Sequence, residues 1–395
     1  MTSRRLVLTR SAAVIGAAST GLLLPEIVRA QSGKVRVGFM LPYTGTFAQL
    51  GVAIENGFRM AINEQGGKLG GREIEYFKVD DESEPSKGIE NASKLVQRDK
   101  VDVLVGTVHS GVQMGIQKVA RDSGVLSLIP NAGVHAATRA LCAPNVFRTS
   151  FSNSQPTRAL GKAMVDRGHK KAVWITWKYA AGDEAFEGFK ESYTAAGGTV
   201  IKELGLPFPQ VEFQALLTEI AALKPDAVAC FFAGGAAAKF IKDYAAAGLK
   251  DKIPLYGSGF LTEGVLEAAG PAANGIVTTM HYSDSLPTVR NGQFRLNYAK
   301  TFKLQPDVYA VQGYDTALLL IQGANAVKGD LNNKPALYKA MEGATIDSPR
   351  GKWTMSKSHN PVQDMYLRVV ENKENKVIGI AAKALADSGA GCKMG

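Results

Sequence analysis

Nine residues that could contact a small molecule stand just after short apolar runs of the sequence. Ligands of parallel α/β sheets bind beyond the carboxyl ends of the strands, so residues at such positions are predicted to face one cleft. In chain order they are Tyr43, His109, Ser110, Asn131, Ala132, Gly133, Tyr179, Phe232 and Phe260.

The chemistry of these residues suits a small carboxylate. The turn that holds His109 and Ser110 opens a predicted helix, whose free N–H groups and dipole can hold an anion without a buried arginine. Ser110 could add a hydroxyl donor or serve only as the helix N-cap. His109 could hydrogen-bond in the cleft or lie exposed in the loop. The aromatic rings could stack on a flat ligand, although packing between lobes explains each ring about as well.

Other kinds of chemistry have little support in the sequence. There is no GxSxG or HExxH motif, and the five histidines are scattered without metal-ligand spacing. The glycine-rich run at 66–71 follows a predicted helix and precedes a strand, the reverse of a phosphate-binding loop. We therefore expect neither a metal site nor a cofactor. Cys230 lies within an apolar strand, which leaves Cys142 and Cys392 as the only plausible disulfide partners.

The elements that position these residues alternate between strand and helix. Continuous apolar runs, such as 227–231, are typical of parallel strands covered on both faces. We predict an α/β fold of two Rossmann-like lobes with parallel sheets, joined by a multi-stranded hinge. The first lobe would comprise residues 31–152 and 282–345, and the second lobe and hinge residues 153–281 and 346–395.

The first 30 residues are predicted to be a signal peptide of twin-arginine type. Arg4 and Arg5 precede an uncharged stretch at 11–24, which is shorter than the about 20 residues that span a bilayer. Val28-Arg29-Ala30 resembles a cleavage site. We expect export to the periplasm and no membrane insertion after the signal is removed. The net charge of +10 is dispersed, so no nucleic-acid surface is expected.

Five short motifs of the sequence occur in an order that is typical of a known protein family. They are VRVG at 35–38 with PYTG at 42–45, AINEQGG at 61–67 with LGGR at 69–72, VLVG at 103–106, PD at 306–307 with YAVQGYD at 309–315, and HNPVQD at 359–364. In this combination the chain resembles the type I periplasmic binding proteins, the branched-chain amino-acid (leucine/isoleucine/valine) class of ABC-transporter substrate-binding proteins.

The resemblance implies two lobes that close on a ligand about a three-stranded hinge, with His109 and Ser110 on the ligand carboxylate. Gly133 stands where amino-acid binders tend to carry threonine. An acidic residue for a ligand ammonium is expected near Phe260, and Glu263 lies slightly beyond that position. The PNAG turn at 130–133 and the HNPVQD segment look more like family members that bind aromatic acids, such as benzoate or cinnamate derivatives.

We therefore predict a monomeric, non-catalytic receptor of an ABC importer, which captures an aromatic acid by lobe closure and then docks on a membrane permease. Binding of branched-chain or other aliphatic amino acids by the same mechanism is the first alternative. An exported hydrolase that uses a cleft serine is an alternative of another class.

Overall fold

A computed structural model describes residues 33–394, and two sheets with helices on their faces carry its architecture. The predicted signal peptide lies outside the described residues. The strands are β1 (Val35–Leu41), β2 (Lys68–Leu69), β3 (Arg72–Asp80), β4 (Val103–Val105), β5 (Leu126–Ile129), β6 (Val146–Arg148), β7 (Lys171–Lys178), β8 (Thr199–Pro207), β9 (Ala227–Phe231), β10 (Leu255–Ser258), β11 (Val277–Met280), β12 (Thr345–Ser348), β13 (Gly351–Met355), β14 (Pro361–Glu371) and β15 (Glu374–Leu385).

Helices connect most of these strands. They are α1 (Ala48–Glu64), α2 (Gly88–Ser93), α3 (Ser110–Ser123), α4 (His135–Thr138), α5 (Ser154–Asp166), α6 (Ala180–Ala195), α7 (Gln214–Leu223), α8 (Gly234–Ala246), α9 (Leu266–Ala269), α10 (Val289–Phe302), α11 (Val308–Ala326) and α12 (Lys334–Glu342).

The first sheet has the order β2-β3-β1-β4-β5-β6 and is parallel except for the short β2. All residues of β4 and β5 are buried, because helices cover both faces of the sheet. The sheet and its helices form the first lobe. The sequence predicts most of its strands, but it gives no signal for β6, which has only three residues.

The second sheet has the order β12-β13-β14-β11-β10-β9-β7-β8, and β15 pairs with β14. Strands β7 to β11 are parallel, whereas β12 to β15 pair in antiparallel fashion. The expectation of parallel sheets therefore holds for the core of the second lobe, and the C-terminal strands extend it as a mixed sheet. The predicted two-lobed α/β fold is confirmed.

The chain passes between the two lobes more than once, and helix α11 shows how it returns to the first. This helix packs on α1 at very short range. A Cβ atom on Gly57 would lie 1.9 Å from the carbonyl oxygen of Ala310, and one on Gly313 would lie 1.9 Å from that of Ile54. The two glycines therefore permit the close crossing that fixes α11 against the first lobe.

The buried side chain of Arg350 links chain segments that run between the two lobes. The Arg350 guanidinium donates to the Asp315 carboxylate at 2.6 Å and to the carbonyl oxygen of Thr149 at 2.6 Å, and it also contacts the side-chain oxygen of Gln363. These partners belong to α11, to the segment after β6 and to β14. Because buried charged groups need such partners, this cluster holds three chain segments of the hinge region in one geometry.

A disulfide bond connects two parts of the chain that lie far apart in the sequence. Cys142 and Cys392 form a disulfide with a Cα–Cα distance of 5.5 Å, and Cys230 is a buried free thiol. Within residues 33–394, no helix has both the length and the apolar character needed to cross a membrane.

Candidate functional site

A narrow cavity lies between the lobes, where the carboxyl ends of strands from both sheets meet. The cavity is small, with a volume of about 20 Å³. Its wall is formed by both lobes, by the segment after β6 and by α11. The lining residues are Phe47, Leu50, Val108, Asn131, Gly133, Phe151, Asn153, Tyr179, Ala181, Phe231, Ala233, Phe260 and Tyr309.

Aromatic rings dominate this wall. Phe260 lies at the centre of the group, with its ring centroid 4.7 Å from Phe151, 5.9 Å from Tyr309 and 6.2 Å from Phe231. The ring of Tyr179 lies 6.4 Å from Phe231. A cavity walled by rings at these angles offers flat faces and ring edges to a ligand, which suits another flat, apolar group.

His109 caps helix α3 beside the cavity. Its Nδ1 accepts a hydrogen bond from the backbone N–H of Gly111 at 3.1 Å, and its ring stacks on Tyr179 with a centroid distance of 5.0 Å. The side chain is buried, so the alternative of an exposed loop histidine is wrong. Burial lowers the pKa of His109 to about 4. The imidazole is therefore neutral at pH 7, with its proton on Nε2 because Nδ1 accepts.

Ser110 is the first residue of α3 and not its N-cap. Its hydroxyl accepts a hydrogen bond from Nδ2 of Asn153 at 3.3 Å. Nδ2 of Asn153 also donates to the Glu184 carboxylate at 2.8 Å, and this carboxylate accepts the backbone N–H of His135 at 2.9 Å. Since Glu184 lies on α6 of the second lobe and His135 on α4 of the first, this chain of hydrogen bonds joins the lobes at one rim of the cavity.

Gly133 contacts Asn153 so closely that no side chain fits there. A Cβ atom would lie 2.2 Å from Oδ1 and 2.7 Å from the backbone nitrogen of Asn153. The threonine that amino-acid binders tend to carry at this position is thus incompatible with the observed packing. On the same turn, Nδ2 of Asn131 donates to Oε1 of Gln312 on α11 at 2.7 Å.

Tyr309 reaches the cavity from the N-terminal end of α11. The side chain is buried, and its hydroxyl has no hydrogen-bond partner in the described part of the chain. Burial raises the pKa of this phenol well above its ordinary value, so the hydroxyl keeps its proton. The cavity wall therefore contains a protonated donor without a protein acceptor.

Glu263, the acidic residue closest to the position expected for an ammonium partner, does not line the cavity. Its carboxylate is buried, pairs with the guanidinium of Arg368 and accepts the backbone N–H of Val308 at 3.0 Å. Both carboxylate oxygens thus have protein partners, and the residue is unavailable to a ligand ammonium.

Four of the nine predicted residues line the cavity, namely Asn131, Gly133, Tyr179 and Phe260. His109 and Ser110 contact lining residues through the stacking and the hydrogen bond described above. Ala132 is buried between two lining residues, and its N–H donates to the carbonyl oxygen of Thr107.

Tyr43 and Phe232 are placed elsewhere. The Tyr43 hydroxyl donates to the Glu55 carboxylate at 2.7 Å. Phe232 is fully buried beside Trp177, with a centroid distance of 5.3 Å, and the preceding residue, Phe231, lines the cavity in its place. All five residues of β9 are buried, so no alternation of polar and apolar residues shows which side chain faces the cleft.

The remaining lining residues are not anticipated from the sequence. The strand-end rule could have found Phe47, Val108, Ala181 and Ala233, which follow β1, β4, β7 and β9, but small and aliphatic residues carry little chemical signal. Phe151 and Asn153 lie in the segment after β6, which was not predicted. Tyr309 lies in the first turn of α11, and this helix follows α10 and not a strand.

The chain belongs to the periplasmic binding protein family, whose sequence profile matches residues 34–375. The resemblance drawn from the five stretches is thereby confirmed. Among curated proteins, the Leu/Ile/Val-binding protein homolog 6 of Brucella abortus (strain 2308) is 28% identical over 353 residues, which cover 88% of this chain and 90% of the relative.

Two solved structures extend this comparison. The solute-binding protein of an ABC transporter from R. palustris, in complex with benzoate, is 53% identical, with a TM-score of 0.89 over 91% of this chain and 100% of that chain. A solute-binding protein of an ABC transporter from Rhodopseudomonas palustris BisB5, in complex with 3,4-dihydroxy benzoic acid, is 31% identical, with a TM-score of 0.85 over 90% of this chain and 99% of that chain.

Proposed function

We propose that this chain is the substrate-binding receptor of an ABC importer and that its ligand is an aromatic carboxylate, such as benzoate or a hydroxybenzoate. The observation that carries the proposal is the composition of the cavity wall. Six aromatic rings line it, and none of its lining residues in the described chain is acidic. An amino-acid ligand would bury its ammonium group there without a counter-charge, which is strongly unfavourable.

The N-terminus of α3 supports the carboxylate end of such a ligand. Val108 lines the cavity, and the next residue, His109, is the N-cap of the helix. The first backbone N–H groups of a helix have no partner within the helix, and at α3 the side chain of His109 accepts that of Gly111. The helix dipole favours an anion at this end. The solved relatives that bind benzoate and 3,4-dihydroxy benzoic acid support the same ligand class.

Capture follows from contacts with both lobes. A ligand shifts the receptor towards the closed state only if it binds that state more tightly than the open state. Phe231 and Phe260 line the cavity from one lobe and Phe47 from the other, so a ligand held there contacts both lobes at once. We propose that the closed, monomeric receptor then docks on the permease in the periplasm, without a role for nucleic acid.

We propose that the receptor is not an enzyme. Ser154, His135 and Glu184 come near the arrangement of a hydrolase, with Oγ 2.9 Å from Nε2 and Nδ1 3.7 Å from the carboxylate. However, Ser154 is buried and does not line the cavity. The expected result is that the chain does not accelerate hydrolysis of p-nitrophenyl benzoate, and hydrolysis that disappears in Ser154→Ala would contradict it.

Thermal unfolding with a ligand panel tests the proposed function. The chain is first unfolded and refolded to remove any small molecule that co-purifies. A ligand at a hundredfold excess over its Kd adds about 2.7 kcal/mol of stability. We expect benzoate, 4-hydroxybenzoate, 3,4-dihydroxybenzoate or cinnamate to raise the melting temperature, and leucine and isoleucine to leave it unchanged. A rise with leucine or isoleucine alone would overturn the proposal.

A further inference from the structure

The hydroxyl of Tyr309 is a buried polar group that the protein leaves unsatisfied. The residue is 1% exposed, and its hydroxyl has no partner among residues 33–394 although its side chain lines the cavity. Buried polar groups in native proteins are nearly always hydrogen-bonded, so an exception calls for an explanation. A partner that arrives with the ligand would supply one.

The ring of Tyr309 is held in place on one side by Phe260. The two rings stack with a centroid distance of 5.9 Å and an interplanar angle of 26°. This contact comes from the second lobe, because Phe260 follows β10, whereas α11 packs on the first lobe. The direction of the hydroxyl is therefore defined by a contact that exists when the lobes are closed.

A second contact from the opposite lobe fixes the backbone next to Tyr309. Val308 is the first residue of α11, and its N–H donates to the Glu263 carboxylate at 3.0 Å. Glu263 also follows β10 and is held by Arg368 on β14. Hydrogen bonds to a charged group are stronger than neutral ones, and the helix dipole favours a carboxylate at this end. Separation of the lobes would break this bond.

We propose that Tyr309 is a specificity-determining residue that donates its hydroxyl hydrogen to an oxygen of the bound ligand, and that Glu263 positions it from the opposite lobe. This inference rests on the proposed function, since it requires an aromatic acid in the cavity. The acceptor is an oxygen of that acid, either in its carboxylate or in a ring hydroxyl. Closure and selection are coupled, because the donor is in place only in the closed receptor.

Tyr309→Phe tests the first part, because it removes only the hydroxyl. Calorimetric titration of wild type and variant with benzoate and with 4-hydroxybenzoate is expected to show at least one affinity about tenfold weaker in the variant. Loss for both acids assigns the bond to the carboxylate, and loss for 4-hydroxybenzoate alone assigns it to the ring hydroxyl. The melting temperature of the ligand-free variant should not fall, because the hydroxyl has no protein partner.

Two results would overturn the role of Tyr309. One is binding of both acids by the phenylalanine variant within about threefold of wild type, since a hydrogen bond to the ligand would cost more than that. The other is a ligand-free melting temperature several degrees below wild type, which would reveal a structural partner. Failure of the proposed function looks different, because then the wild-type chain itself binds no aromatic acid.

Val308→Pro tests the second part, with Val308→Ala as its matched control. Proline removes the N–H that Glu263 accepts, and it is well tolerated at the first position of a helix. The preceding residue, Asp307, already has the extended backbone that proline requires of its neighbour. The Glu263–Arg368 pair stays intact in both variants. We expect benzoate affinity to fall about tenfold in the proline variant and less than threefold in the alanine variant.

A double-mutant cycle separates positioning from simple closure. If Glu263 acts through Tyr309, Val308→Pro has less than about a threefold further effect in the Tyr309→Phe background. Fully additive losses would show that the Glu263 bond only helps to close the lobes, and equal losses in the proline and alanine variants would show that the bond contributes nothing. Either result would overturn the positioning role of Glu263.

Discussion

Gly133→Ala is the substitution whose effect the geometry defines most sharply. The new Cβ would lie 2.2 Å from Oδ1 and 2.7 Å from the backbone nitrogen of Asn153, far inside van der Waals contact. Gly133 has no positive φ, so the backbone itself accepts alanine and the effect is steric. Asn153 must move, and its hydrogen bonds to Glu184 and Ser110 are then lost.

The magnitude follows from two contributions. Overpacking costs about 1–3 kcal/mol, and loss of the hydrogen bond from Asn153 to a carboxylate costs about 1.5–3 kcal/mol. We therefore expect Gly133→Ala to lower the free energy of unfolding by about 2.5–6 kcal/mol. Benzoate binding should weaken more than about tenfold, because Asn153 lines the cavity. Urea unfolding and calorimetry measure the two effects.

Gly235→Ala provides the matched control. A Cβ at this exposed position on α8 meets nothing within 4 Å. Replacement of glycine by alanine within a helix stabilises it by up to about 1 kcal/mol, so this variant should be as stable as wild type or more so and should bind benzoate normally. If Gly133→Ala unfolded at the same urea concentration as Gly235→Ala, the close contact between the two turns would not exist in solution.

Three further perturbations have defined outcomes. Burial lowers the pKa of His109 to about 4, so the native state binds fewer protons than the unfolded state between pH 4 and 6.5. Urea unfolding should therefore show that stability falls by up to about 3 kcal/mol as the pH drops through that window, and that it falls less in His109→Gln. Burial raises the pKa of Glu184 to about 7, which favours its neutral form in the closed state. Benzoate affinity, measured by calorimetry, should therefore fall as the pH rises from about 5 to 7 and level off above pH 7. The pH profile should be flatter in Glu184→Gln and unchanged in the control variant Glu191→Gln. Replacing Cys142 and Cys392 by serine opens a loop with a sequence separation of 250 and should destabilise the chain by about 2–5 kcal/mol, whereas an unchanged unfolding midpoint would show that the disulfide constrains nothing.

The sequence predicts the central elements of the fold because their patterns are strong. Strand β1 (Val35–Leu41) is apolar apart from Arg36, and a run of this length is readily recognised as a strand. Helix α3 begins at Ser110 and ends at Ser123, where Gly124 adopts a left-handed backbone that ends the helix. Strands β6 (VFR) and β11 (VTTM) contain polar or charged residues and are not continuous apolar runs, so their positions are set by pairing with neighbouring strands.

The candidate site is predicted less completely, for two physical reasons. The strand-end rule identifies which turns face the cleft but not which side chain of a fully buried strand does so. For this reason the sequence predicts Phe232 as the cleft residue, whereas Phe231 lines the cavity. The rule also says nothing of residues that reach the cleft from a hinge segment or from a returning helix, such as Asn153 and Tyr309. Those positions depend on contacts between segments far apart in the sequence.

A calorimetric titration of the refolded chain with benzoate, alone and in the presence of excess isoleucine, measures whether the cavity between the lobes binds an aromatic acid. If the aromatic cavity between the lobes is the binding site, benzoate binds at one site per chain and isoleucine does not compete. Isoleucine that binds by itself, while benzoate produces no heat at any temperature, would show that the cavity is not a site for aromatic acids.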